Sequence, residues 1–238
     1  MRNRMRRATS TLGLAVVLAV LAPVLAAGPA AAGCGDRPGA GVDWSKCDKR
    51  RLMLSGQDLS EGTFQRTDFS RSDLAGAKLA GADLLEADFE HARIAGADLS
   101  GANLQKASLD RANAAEAVLR GADLGKAEMS RTDFTGADFT GANLQKAELG
   151  RAKLNGAVLE NADMTRAEIA RAVFAGARLT GADLTGAYTY LAHFEGTDLS
   201  GTKGLTQRQL DDACGDAQTK LPEGLTAPAS WPCASGEE

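Results

Sequence analysis

Residues 97–107 read ADLSGANLQKA, and nearly the same string, ADFTGANLQKA, recurs at residues 137–147. Large apolar side chains occupy every fifth position of one unbroken frame from Leu54 to Leu199, and 28 of its 30 positions are Leu, Phe, Ile or Met. A helix would spread residues with this period around its axis, and a continuous strand would alternate their face. The chain must therefore bend within every repeat.

A small residue precedes each large one by two positions, and from Ala77 to Ala192 it is alanine in 23 of 24 repeats. Residues two apart on an extended segment share a face, so each repeat directs one small and one large side chain inward. The residue two after each centre adds a longer period of 20, because pairs of glycines alternate with pairs of charged residues. Four repeats thus make one coil of a solenoid, and 30 repeats predict about seven coils.

These repeats resemble the A(D/N)LXX motif of the pentapeptide-repeat family. The clearest matches are Ala82–Glu86, Ala102–Lys106 and Ala182–Gly186. The resemblance implies an all-β fold, a right-handed quadrilateral parallel β-helix with four repeats in each coil. The segments on either side of the repeats are similar to the caps of exported members of this family.

The first 32 residues have the features of a cleavable signal peptide. Four arginines precede an apolar run from Leu12 to Leu25, and three alanines offer a cleavage site before Gly33. The run is too short to predict a membrane span, so none is expected in the mature chain. Removal of the leader would change the net charge from −4 to −8, because 23 basic residues then face 31 acidic ones.

The mature chain divides into three expected parts. Residues 33–51 form an N-terminal cap, residues 52–203 form the β-helix, and residues 204–238 form a C-terminal cap. Thr206 and Gln209 have the spacing of a capping box, which predicts a short helix over the last coil.

All four cysteines lie outside the repeats, with Cys34 and Cys47 before them and Cys214 and Cys233 after them. Three pairings are possible in principle. Cysteines at opposite ends of the solenoid could not approach within the distance that a disulfide requires, so the sequence predicts Cys34–Cys47 and Cys214–Cys233. An alternative interpretation makes Cys34 a lipidated N-terminus, because residues 31–34 partly resemble a lipobox.

The sequence gives little support to catalysis. His91 and His193 are the only histidines, and they occupy outward positions about five coils apart. They cannot cooperate in a metal site or in a catalytic triad. The carboxylates recur regularly, and no phosphate loop or nucleophile elbow is present. We therefore expect no enzyme, no cofactor and no metal.

The outward residues are the candidates for function. Lys126 and Glu128 illustrate a recurrent placement of opposite charges two residues apart, which we expect to offset the repulsion within each column of like charges. Tyr188 and Tyr190 are a further candidate contact near the C-terminal end. The main candidate surface is a basic column of Arg71, Arg111, Arg131, Arg151 and Arg171, and a second basic column contains Arg66, Lys106, Lys126, Lys146 and Arg166.

The sequence therefore predicts an exported, non-catalytic scaffold in the periplasm or outside the cell. Its partner would be a protein or an envelope polymer, and a homodimer through one end is also open. Nucleic acid is not expected, because the mature charge is negative and aromatic residues are scarce. The resemblance also implies an alternative, since one cytosolic branch of the family binds DNA gyrase by imitating duplex DNA. Two features argue against gyrase binding: the leader would direct the chain out of the cytosol, and the basic columns interrupt the negative charge that an imitation of DNA needs.

Overall fold

The structure is a computed structural model that describes residues 33–233. The expected signal peptide and the last five residues of the expected C-terminal cap lie outside this range. Within this range the backbone forms isolated parallel bridges rather than longer strands. The helix of the described residues is α1, Gln207–Asp211. Each bridge residue pairs with the residue 20 positions later, from Asp43–Thr63 to Asp183–Lys203. Bridges recur every five residues, so each coil has four faces, and the β-helix expected from the repeat is confirmed.

Hydrogen bonds between coils satisfy the backbone. The amide of Leu74, a repeat centre, donates to the carbonyl of Arg93 at 2.7 Å, and the amide of Asp73 donates to the carbonyl of Leu52 at 2.8 Å. Leu74 and Ala77 are fully buried, as are nearly all the other centres and alanines in the frame. The core is therefore a stack of thin layers, and each layer buries its apolar surface only against its neighbours.

Hydroxyl residues that replace the inward alanine keep the backbone paired. Thr132 is fully buried, and its hydroxyl donates to the carbonyl of Leu109 at 2.6 Å. Thr67 and Thr197 donate in the same way to the carbonyls of Trp44 and Phe174. A hydroxyl at this position therefore enters the core without leaving an unpaired donor.

The N-terminal end begins earlier than the run of apolar centres. Bridges start at Asp43, within the segment expected as a cap, and Trp44 and Lys49 occupy the two centre positions that precede Leu54. Lys49 is buried, its Nζ lies 3.6 Å from the centroid of the Trp44 ring, and it donates to the carbonyl of Cys34 at 2.8 Å. Burial lowers the pKa of Lys49.

The C-terminal end is covered by α1. Thr206 and Gln209 form the expected capping box, and Leu210 is buried on the inward side of the helix. The Gln209 side chain donates to two carbonyls of the preceding coil, and the Thr189 hydroxyl donates to the backbone carbonyl of Gln209 at 2.7 Å. After the helix the bridge offset grows from 20 residues to 21 at His193–Cys214.

Both predicted disulfides, Cys34–Cys47 and Cys214–Cys233, are present, and the Cα atoms are 5.4 Å apart in each. Each bond lies within one end of the solenoid.

Candidate functional site

The five arginines Arg71, Arg111, Arg131, Arg151 and Arg171, hereafter the arginine column, occupy the same corner position in different coils. Each has a left-handed backbone with φ between +57° and +59°. Glycine adopts this conformation readily, and it occupies equivalent corners such as Gly76 at φ +64°. A residue with a side chain is less stable there by roughly 1–2 kcal/mol. The chain therefore carries arginine at positions where the backbone favours glycine.

Sequence reasoning missed Arg51, which extends the arginine column by one coil with φ +56°. It lay in the segment expected as a cap. The signal that could have found it is its spacing, because Arg51 precedes Arg71 by the 20-residue period.

Most of the ion pairs do not follow the expected placement. The expected pair of Lys126 and Glu128 is not among the ion pairs of the described residues, although Arg50–Asp48 and His193–Glu195 join residues two positions apart. Most ion pairs form between coils: Arg66 Nε lies 2.6 Å from Glu86 Oε2, and Arg93 pairs with Asp73. Adjacent coils are about 4.8 Å apart, so side chains at the same position in successive coils meet more easily than side chains around a corner.

The arginine column is largely unpaired. Arg111 lies 3.9 Å from Glu90, at the limit of an ion pair. Within residues 33–233 the other four arginines of the column form no ion pair with any carboxylate. Their guanidinium groups are therefore available to a partner, and each can bind a carboxylate or phosphate through two parallel hydrogen bonds.

One surface pocket lies beside the arginine column towards the C-terminal end. It has a volume of about 360 Å³ and is lined by Arg151, Lys153, Arg171, Val173 and His193, hereafter the C-terminal pocket. No carboxylate lines it. The nearest described partner of His193 is Glu195, whose Oε1 lies 2.9 Å from the imidazole Nδ1.

A second pocket lies at the other end of the column. It has a volume of about 270 Å³ and is lined by Asp48, Arg50, Arg51, Ser70 and Arg71, hereafter the N-terminal pocket. Arg50 pairs with Asp48 at 2.5 Å and with Asp68 at 3.4 Å. The hydrogen bond from Arg50 lowers the pKa of Asp48 to about 2, so this carboxylate is ionised at neutral pH. The N-terminal pocket therefore carries its own anion.

A row of carboxylates runs on the far side of the arginine column. Burial and the charges of Glu168 and Glu128 raise the pKa of Glu148. On this side of the column Gly150 and Ala170 line a further pocket, which also includes Asp110, Arg131, Arg151 and Arg171. The column therefore borders an acidic face without being neutralised by it.

The two candidate tyrosines are exposed rather than packed under the cap. Tyr188 is 55% exposed and Tyr190 is 45% exposed. Their rings are nearly parallel, at 12°, with centroids 6.3 Å apart. They form a flat aromatic surface one coil beyond Arg171.

The histidines do not share a site. His91 lies 3.6 Å from Glu90, and His193 pairs with Glu195 in a later coil. Among the residues that the structure describes, no group of three potential metal ligands comes together. No described helix is long and apolar enough to span a membrane.

The coil geometry and the repeat define a pentapeptide-repeat solenoid. The family model described as pentapeptide repeats (8 copies) matches residues 54–84, 67–105, 82–121, 115–151, 147–186 and 168–203. The chain belongs to the pentapeptide repeat family, and no catalytic family is indicated. No curated protein gives a significant match.

Solved structures of the same family resemble the chain. QnrB1, described as a plasmid-mediated fluoroquinolone resistance protein, is 22% identical with a TM-score of 0.62, and the match covers 76% of this chain and 90% of that one. HetL from the cyanobacterium Nostoc sp. strain PCC 7120, involved in heterocyst differentiation regulation, is 29% identical over 77% of this chain and 84% of its own, with a TM-score of 0.40. The QnrB1 likeness supports the fold alone.

Proposed function

We propose that the protein is an exported, non-catalytic scaffold whose arginine column binds an acidic partner protein. It would be a right-handed solenoid of about seven coils that presents charges at the spacing of its coils. The observation that carries the proposal is the set of arginines that stand at one corner of the coils and form no ion pair with a described residue, Arg71, Arg131, Arg151 and Arg171. Their left-handed backbone is shared by other non-glycine corners such as Glu86 and Lys126, so it sets the position of the corner and does not by itself mark the column.

Export is supported by the leader-like residues 1–32 and by a disulfide at each end of the solenoid. Disulfides persist in oxidising compartments, such as the periplasm and the cell exterior. Lipidation of Cys34 would require the sulfur that the Cys34–Cys47 bond uses. We therefore favour a mature chain that begins near Gly33 without a lipid anchor.

Binding of an acidic partner is supported by the geometry of arginine. Its planar guanidinium recognises carboxylates with two hydrogen bonds, and coils about 4.8 Å apart repeat this donor along the surface. Tyr188 and Tyr190 extend the same surface with an aromatic pair, a residue type enriched in protein interfaces. Gyrase mimicry is not favoured, because the basic columns interrupt the negative field that an imitation of DNA would need.

Export is tested by the intact mass of the protein recovered from separated cytoplasmic, membrane and exported fractions, before and after reduction. We expect an exported chain that begins near Gly33 and has no free thiol until it is reduced. A full-length cytoplasmic chain with four free thiols would contradict export.

Binding is tested by the affinity of the purified protein for poly-L-glutamate, with duplex DNA as the competing polyanion. A variant with all five arginines of the column changed to glycine should bind poly-L-glutamate at least about tenfold more weakly, because several charge-assisted hydrogen bonds are lost. The matched control changes Arg66, Lys106, Lys126, Lys146 and Arg166 to glycine. These five also have positive φ, and they carry the same total charge.

The control should retain most of the affinity. An equal loss in both variants would show that only total charge matters and would overturn the assignment to the arginine column. Equal affinity of the unaltered protein for DNA would overturn the preference for an acidic protein.

A further inference from the structure

The C-terminal pocket differs from the rest of the charged surface in its balance of charge. Arg151, Lys153 and Arg171 contribute three cations, and none of them forms an ion pair with a described residue. The mature chain as a whole is expected to be negative. Three neighbouring cations repel one another, so an anion bound among them would relieve this repulsion as well as gain hydrogen bonds.

The backbone fixes where these three side chains leave the coils. Arg151 and Arg171 occupy the same corner in successive coils, and Lys153 lies two residues after Arg151 on the next face, bridged to Val173. The hydrogen bond from the Lys153 amide to the carbonyl of Thr132 is 2.9 Å long, and that from the Arg151 amide to the carbonyl of Ala170 is also 2.9 Å. The three side chains therefore extend from rigid backbone and line one pocket.

The number of cations favours a phosphate over a carboxylate. A phosphomonoester carries about −1.5 to −2 charges at neutral pH and has three strong acceptor oxygens. Two arginine forks and one lysine supply enough donors for all three oxygens. A single carboxylate, with one charge and two oxygens, would leave part of this donor set unused.

The remaining two residues favour an organic phosphate over inorganic phosphate. Val173 contributes an apolar part of the lining, and His193 stands one coil beyond it. The Nδ1 of His193 faces Glu195, which orients the ring and leaves Nε2 without a partner in the described chain. An apolar and aromatic lining can contact the carbon atoms that bear the phosphate.

We propose that the C-terminal pocket binds a phosphomonoester carried on a small organic group. This inference deepens the proposed function and rests on its arginine column, but it does not depend on export. The same chemistry occurs in soluble phosphate esters and in the headgroup of phosphatidic acid. The pocket recognises what these ligands share.

The test is titration calorimetry of the disulfide-intact protein with phenyl phosphate, inorganic phosphate and benzoate. We expect phenyl phosphate to bind most tightly. A double variant, Arg151→Gly with Arg171→Gly, should weaken its binding at least about tenfold, because charge-assisted hydrogen bonds are lost. Misfolding is not expected, since glycine is favoured at φ +59° and +58°.

The matched control is Arg51→Gly with Arg71→Gly, which removes the same charges from the N-terminal pocket at the same backbone conformation. It should change phenyl phosphate binding by less than about twofold, since surface changes outside a site have small effects. A second variant, Lys153→Met, keeps the volume of the side chain and should also weaken binding. Equal effects of the two double variants, or equal binding of benzoate and phenyl phosphate, would overturn the proposal.

Two further binding measurements distinguish a soluble phosphate ester from a lipid headgroup as the source of the ligand. Glycerol 3-phosphate tests a soluble ester, and vesicles of phosphatidylcholine with and without phosphatidic acid test the headgroup. Binding of either ligand supports the proposed pocket. If neither ligand binds, the proposal is contradicted. If phenyl phosphate binds while poly-L-glutamate does not, the proposed function fails and the pocket stands. The reverse result removes the pocket and leaves the arginine column.

Discussion

The two ends of the arginine column share a backbone and differ in charge. Arg51 and Arg71 at one end, and Arg151 and Arg171 at the other, all have φ between +56° and +59° and each pair borders a pocket. The N-terminal pocket contains Asp48, which Arg50 holds in its ionised form. The C-terminal pocket lies on the other side of the column, on the row that follows the corner, where Lys153 stands; the row of Asp48 precedes the corner and continues to Glu148 and Glu168. The coil therefore fixes where the arginines stand, while their neighbours decide whether the pocket can accept an anion.

The face next to the column repeats this contrast. Near the N-terminal end Asp73 pairs with Arg93, so the cation in that row is neutralised. Near the C-terminal end the same row contains Lys153, Val173 and His193, and none of these is a carboxylate. A repeated scaffold can thus carry an inert stretch and a binding stretch with the same backbone. The difference lies in a few outward residues in each coil.

The largest expected effect comes from placing a carboxylate inside the C-terminal pocket. Lys153→Glu removes a cation and introduces an anion that can pair with Arg151 or Arg171. We expect the affinity for phenyl phosphate to fall roughly a hundredfold. This corresponds to a loss of binding free energy about twice that caused by removing one charged partner. Titration calorimetry measures it, and Lys78→Glu on another face is the control. A loss below about threefold would contradict the role of Lys153.

A smaller effect concerns the backbone that both ends share. Arg71→Gly and Arg151→Gly should each raise the free energy of unfolding by about 0.5–1 kcal/mol, because φ near +57° to +59° is strained for arginine and not for glycine. Chemical denaturation measures both variants. Equal gains at the two ends would separate backbone strain from ligand binding. A decrease in stability would show that the arginine side chains hold the coils together.

The smallest effect concerns the neutralised row. The hydrogen bond from Arg93 lowers the pKa of Asp73 to about 2, below its value in the unfolded chain. Its stabilisation is therefore present at neutral pH and is lost as the pH falls from about 4 towards 2. Asp73→Asn should lower stability by less than about 1 kcal/mol at pH 7, because the partner arginine is exposed.

Chemical denaturation of both proteins across this pH range measures the effect. The difference between Asp73→Asn and the unaltered protein should shrink on acidification. A difference that stays constant down to pH 2 would exclude the ion pair as its cause.

Much of the fold could be predicted because its signal is repeated. Every centre from Leu54 onward reports the same inward position, so single exceptions such as Ala114 do not obscure the frame. The capping box at Thr206 and both disulfides were also predictable, the first from local spacing and the second from placement at opposite ends. The extension of the coil to Trp44 and Lys49 was not, because a tryptophan and a lysine break the aliphatic pattern that marks a centre.

The candidate site could be predicted only in part. The period of 20 placed Arg71, Arg151 and Arg171 in one column. It gave no reason to join Lys153 and His193 to them, since these residues belong to another row. The expected pair of Lys126 and Glu128 does not form among the described residues. Charges two residues apart pair at Arg50–Asp48 and His193–Glu195, while most other ion pairs join neighbouring coils, because the next coil brings a partner close.

The sequence by itself determined the coil, its buried centres from Leu54 onward, the capping box and the placement of the cysteines at the two ends. The coil and its centres follow from local rules that act identically in each repeat. Only the tertiary structure decided which arginines are paired, that their backbone is left-handed, and that Arg151, Lys153, Arg171 and His193 line one pocket. The physical reason is that charges interact across coils, between residues about 20 positions apart, where distance and side-chain direction are set by stacking.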